Sequence, residues 1–171
     1  MAADHPPLPI LFLTCAVLRL VPGATAQPMP ADPFESIKSL AGEWQADLPG
    51  YGTISNSIRL VSHGTAVEET IGTATDNEVS LYTRDGGRIL LTHFCALTPG
   101  GHQVRLLTRQ HGTVREGLVF DLASAINLRD PAAPHMRRVV MAIADRDHFI
   151  ERWTQKKAGK DVVFDLHFVR R

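Results

Sequence analysis

Beyond Gly42 the chain runs in short segments rich in Val, Ile, Thr, Leu and Phe that recur about every ten residues between turn signals, with no helical period among them. This rhythm confines the chain to antiparallel β architectures, because parallel strands need crossovers long enough to hold a helix. Strands are expected at Gly42–Asp47, Thr53–Ser62, Ala66–Gly72, Val79–Thr83, Arg88–Ala96, Gln103–Arg109, Arg115–Leu122, Arg138–Ala144, Phe149–Gln155 and Val162–Val169. Between them, Arg84-Asp85-Gly86-Gly87, Asp145-Arg146-Asp147 and Lys156-Lys157-Ala158-Gly159-Lys160 are the clearest hairpin turns, where Asp and Gly supply local hydrogen bonds and positive φ. In the last strand Phe164, Leu166 and Phe168 share one face while Asp165 and His167 share the other, so one side is buried and one is wet. About ten such strands in a meander favour a closed barrel, because closure alone removes both exposed edges; a sandwich is the alternative. The expected fold class is therefore all-β: a single antiparallel up-and-down barrel with a short N-terminal helix.

That helix is predicted from Asp32-Pro33-Phe34-Glu35, which places an N-cap, a proline at the first helical position and a glutamate three residues after the cap. Phe34, Ile37 and Leu40 give it one apolar side, and it ends by Gly42, the size of a plug or lid. One connection breaks the short-loop rule. Ala123–Pro134, with Asn127, Asp130, Pro131 and Pro134, is too long for a hairpin turn and reads as a functional loop.

The N-terminus has a different character. From Leu8 to Val21 it is almost wholly apolar, and Ala24-Thr25-Ala26 then supplies the small-x-small pattern of a signal-peptidase site. Residues 1–26 are thus expected to be a secretory signal, although no Lys or Arg precedes Leu8. Arg19 and Pro22 interrupt the stretch, so no stable membrane anchor is expected, and the mature protein belongs in the periplasm or outside the cell. Residues 27–33 read as a flexible leader and 34–171 as the barrel domain, one domain's worth of chain. Cleavage removes Cys15 and leaves Cys95 as the sole thiol, so no intramolecular disulfide can form. The 18 basic residues balance the 18 acidic ones, which argues against the basic footprint that nucleic-acid binding requires.

Gly42-Glu43-Trp44, a G-x-W on the first strand just after a short helix, resembles the signature of the lipocalin-like, or calycin, barrels. The resemblance implies that Trp44 closes the barrel floor and that a basic residue near the last strand, here Arg170, packs over it. A wider resemblance, to secreted bacterial proteins of that type with uncharacterised activity, rests on five segments. They are Ser39-Leu40-Ala41-Gly42-Glu43-Trp44, Leu81-Tyr82-Thr83-Arg84-Asp85-Gly86-Gly87, Leu91-Thr92-His93-Phe94-Cys95-Ala96, Pro134-His135-Met136 and Glu151-Arg152-Trp153. The third carries a T-H-aromatic-C-A motif. It implies a fold and an export route and brings no activity with it.

Alternation puts Leu91, His93 and Cys95 on one face of the fifth strand, with His93 and Cys95 roughly 6.6 to 7 Å apart at Cα. An imidazole and a thiolate at that spacing can converge on one ligand, and His135 beside Met136 could add a third donor. Such a set suits zinc, copper or haem iron. The plainer account is a packed Cys95, a hydrogen-bonded His93 and a loop-organising His135, in a barrel that needs no cofactor. Glu68 and Glu69 face opposite sides, and an inward one would need a partner. Phe149, Glu151 and Trp153 share a face and read as a surface or barrel-wall row. The sequence contains no G-x-S-x-G, H-E-x-x-H, C-x-x-C or G-x-x-x-x-G-K signature, so no catalytic residue is assigned. The leading expectation is a barrel that binds a small apolar molecule, with Trp44, Tyr82, His93, Cys95 and His135 as the candidate ligand-binding residues. Metal or haem binding, or a filled structural core, are the alternatives.

Overall fold

The computed structural model describes residues 30–73, 76–95, 101–108 and 114–171, in which ten strands follow one short helix and close on themselves. Helix α1 (Pro33–Lys38) begins where its cap is encoded: the Asp32 carboxylate accepts from the backbone N–H of Phe34 at 2.8 Å and of Glu35 at 3.0 Å. The strands are β1 (Gly42–Leu48), β2 (Gly52–Val61), β3 (Ala66–Gly72), β4 (Asn77–Asp85), β5 (Arg88–Cys95), β6 (His102–Thr108), β7 (Leu118–Ile126), β8 (His135–Ile143), β9 (His148–Lys157) and β10 (Lys160–Arg170). Each pairs antiparallel with its sequence neighbour, and β1 meets β10 through Trp44↔Arg170 and Gln45↔Val169, so the sheet has no open edge. The expected export signal at 1–26 lies outside the described residues. No helix among the described residues is long and apolar enough to cross a membrane.

Two expectations about the loops need correction. The Ala123–Pro134 segment is not all loop: β7 continues to Ile126 by pairing with β6 through Gln103↔Ile126, Val104↔Ala125 and Arg105↔Ser124. Its pairing with β8 covers only Leu118–Asp121, so the far half of β7 is held from one side and its side chains stay exposed. Main-chain bonds there do what apolar side chains do elsewhere, and no hydrophobic alternation announces them. Likewise β8 starts at His135 instead of Arg138, because a bulge between Met136 and Arg138 absorbs one residue and leaves His135 and Met136 both buried.

The two ends of the barrel differ. One is plugged by α1, which buries Phe34 and Ile37, with Leu40 just beyond it, against the strands. Trp44 lies beneath, its Nε1–H donating to Leu40 O at 2.8 Å and its ring meeting Phe149 edge-on at 4.8 Å. Phe149 in turn stacks on Phe168 at 4.7 Å. The Arg170 guanidinium covers Trp44 from outside, 4.1 Å from the ring centroid, and donates to Ala41 O and Arg146 O. Gly42 makes this possible. Its φ is +146°, and a Cβ there would run into Arg170 Nη1. The glycine and tryptophan of the G-x-W thus serve one floor, with Arg170 in the position expected of it. From this floor upward the interior is filled by Phe120, Leu91, Leu106, Met141 and Ile143.

Candidate functional site

The opposite end carries the β1–β2, β3–β4 and β9–β10 connections, and among the described residues no helix plugs it. The inner face of the β4–β5 hairpin rises toward it. The hairpin's two-residue turn at Gly86–Gly87 sets the register, pairing Ser80 with His93 and Val79 with Phe94, so that Glu78 falls beside Cys95. Strand β6 then lays His102 directly opposite Cys95. Alternation sends Glu78, Ser80 and Tyr82 inward from β4, and Leu91, His93 and Cys95 inward from β5.

Contacts in this group are short. The Cys95 thiol donates to Glu78 Oε1 at 3.1 Å, and His93 Nε2 lies 3.1 Å from Glu78 Oε2 without the alignment of a hydrogen bond. His93 Nδ1 is 3.0 Å from Ser80 Oγ, and its ring leans on Trp153 with centroids 4.8 Å apart. His93 is 1% exposed and Cys95 4% exposed, so both are shielded from solvent. Burial holds the pKa of His102 down, and the nearby His135 and His93 push it further the same way.

One layer deeper lies a second polar group with no cation in it. Glu69 accepts from Asn56 Nδ2 at 2.6 Å and from the Tyr82 hydroxyl at 2.8 Å, while Glu151 accepts from Trp153 Nε1 at 2.9 Å and lies 3.3 Å from Tyr82 Oη. Glu69 and Glu151 are both fully buried. Burial pushes the Glu151 pKa well above the usual carboxylate range, the charge of Glu69 adds to this, and the Trp153 and Tyr82 hydrogen bonds oppose it. The Tyr82 hydroxyl is pushed up by burial and then by the two carboxylates. Of the two readings of the row Phe149, Glu151, Trp153, surface or barrel wall, the structure has the barrel wall with all three side chains buried inside, and Glu69 is the inward member of the Glu68–Glu69 pair.

Above these layers a cavity of about 150 Å³ opens toward the rim. Its walls are mostly apolar, with Ile54, Ile71, Met136, Phe164 and Leu166, and Trp153 and His93 lie across its inner part with Glu78. Of the five residues singled out from sequence, only His93 lines it. Trp44 belongs to the packed floor, and Tyr82 to the buried carboxyl network. Cys95 stands beside His93 against Glu78, while His135 turns its Nδ1 to Ala133 O at 2.8 Å at the mouth of β8. Glu78, His102 and Glu151 were not singled out. Counting back from the Gly86–Gly87 turn places Glu78 beside Cys95, alternation puts Glu151 on the face of Phe149 and Trp153, and no local signal marks His102. No protein-family model and no curated protein matches this chain.

Proposed function

We propose that this chain is an exported, lipocalin-like binding protein that takes a small apolar molecule into the open end of its barrel. The observation that supports this is the cavity: apolar walls from β2, β3, β8 and β10, with the His93 imidazole and the Glu78 carboxylate on one side to orient a polar substituent. Its volume sets the scale. A cavity near 150 Å³ accommodates a molecule about the size of benzene, below the ~300–1,000 Å³ of drug-sized pockets. A porphyrin is far larger than this space. The filled floor confines any ligand to the rim half, which bears on selectivity: the ligand must be short, and its polar end must meet the β4–β5 face.

Trp153 reports on the cavity, since its ring forms part of the wall. In a Trp44→Phe background it is the only indole, and titration with indole-free aromatics such as benzene or phenol should shift its emission saturably. Ile71→Phe, which fills the cavity, should abolish that shift while leaving the far-ultraviolet circular dichroism unchanged. Emission that never saturates with any such probe, combined with protein from its native host that carries no small molecule by native mass spectrometry, refutes the reading.

A further inference from the structure

We propose that Glu78, His93 and Cys95 form a site for a divalent transition-metal ion of the zinc class on the inner face of the β4–β5 hairpin. One ligand atom from each of the three lies within 4.8 Å of the others. Tetrahedral coordination at Zn–S near 2.3 Å and Zn–N or Zn–O near 2.0–2.2 Å requires ligand atoms about 3.2–3.8 Å apart. The Cys95 Sγ–Glu78 Oε1 and His93 Nε2–Glu78 Oε2 contacts are each 3.1 Å, so the carboxylate already bridges the pair, and small side-chain shifts bring one ligand atom of each residue into that range.

Charge and hydrogen bonding point the same way. A thiolate and a carboxylate carry two negative charges, which a divalent ion neutralises, and sulfur with imidazole selects the borderline ions over calcium or magnesium. Without an ion the Cys95 S–H donates a hydrogen bond to Glu78 Oε1. Binding replaces that S–H bond with a metal–sulfur bond, and the proton leaves to solvent.

His93 supplies the independent sign of a ligand. Its Nε2 is buried, lies 3.1 Å from Glu78 Oε2, and makes no aligned hydrogen bond. A buried ring nitrogen left in that state is costly in a metal-free fold and is the lone pair a metal needs. The other nitrogen sits 3.0 Å from Ser80 Oγ, an outer-layer contact that fixes the ring and lets Nδ1 carry the proton. Trp153 holds the ring from the side. Glu78 and His93 also border the cavity, so the remaining coordination position faces it. His135, which the spacing of the sequence suggested as third donor, is outside this group, and Glu78 takes its place.

The site does not depend on the apolar-ligand reading, and the two can fail separately: benzene binding is measured on chelator-stripped protein, metal binding without any organic probe. The purified protein, stripped and titrated with Zn²⁺ alone against a chromophoric chelator, should bind one ion per chain. Co²⁺ should give an intense near-ultraviolet thiolate charge-transfer band. Cys95→Ser removes that band and weakens Zn²⁺ binding on the order of 100-fold, Glu78→Gln weakens it by ~10-fold or more and keeps the band, and His135→Ala changes neither. A readout in the wild-type chain guards against a misfolded variant: Zn²⁺ should slow alkylation of Cys95 by at least about tenfold, as a coordinated thiolate is both charge-neutralised and covered. Absence of the Co²⁺ band, alkylation indifferent to Zn²⁺, or affinity unchanged in both Cys95→Ser and Glu78→Gln overturns the proposal.

Discussion

Replacing Glu151 by Gln should make the barrel less stable in acid and more stable near neutrality, with the two stability curves crossing. Glu151 is fully buried beside Glu69, and burial together with that neighbouring charge holds its proton on well above the usual 4.5. Below 4.5 the folded and unfolded chains both carry protonated Glu151, so the variant differs mainly by one extra buried N–H. Leaving that donor unmatched costs about 1–3 kcal/mol. Above 4.5 the unfolded wild type releases its proton while the fold retains it. Because the folded pKa is the raised one, wild-type stability is full below 4.5 and falls as pH rises, by up to about 1.4 kcal/mol per pH unit, until Glu151 ionises in the fold. Gln does not titrate, so each pH unit above 4.5 over which the fold keeps Glu151 protonated offsets about 1.4 kcal/mol of that cost, and the curves cross above about pH 5. Urea unfolding from pH 4 to pH 8, followed by tryptophan emission, measures this as a difference between the two chains. The difference cancels what they share, including His102, whose lowered pKa acts in the opposite sense by removing stability as pH falls. A difference independent of pH would show that Glu151 ionises like an exposed carboxyl and would refute the reasoning.

Two further predictions concern backbone conformation. Gly42→Ala should cost about 2 kcal/mol or more in chemical unfolding, because φ of +146° disfavours a side chain and the new Cβ meets Arg170. Arg170→Ala costs about 1–2 kcal/mol alone, and the double variant should lose less than the sum, since the clash disappears with the guanidinium; strict additivity would separate the glycine from the arginine. Ala158→Asn should raise stability by about 0.5–1 kcal/mol, visible as a higher Tm, because Ala158 has φ of +49° and Gly159 +78° in the two-residue β9–β10 turn.

Much of the barrel is legible without coordinates. Phe164, Leu166 and Phe168 alternate with Asp165 and His167, and in the structure Leu166 and Phe168 are buried and His167 exposed. The Gly86–Gly87 and Ala158–Gly159 turns are local events whose residues state their own geometry, and Asp32 announces the helix start. The same alternation placed His93 and Cys95 on one inner face. Where main-chain pairing acted without apolar alternation, as in the second half of β7, or where a bulge broke the period, as in β8, the boundaries were not readable.

The strand rhythm, the turns, the plugging helix and the His93–Cys95 face are thus written locally in the chain, set by neighbours within a few residues and by period-two geometry. Which inward residues meet follows from closure of the barrel. Tyr82 and Glu151 are 69 residues apart and touch because closure of the barrel brings β9 opposite β4. Closure likewise made Glu151, which alternation left as either a surface or a barrel-wall residue, a buried acid, and confined the open space to the end away from Trp44. Interior contacts across a barrel depend on the register of all ten strands at once, and no segment of the chain carries that information alone.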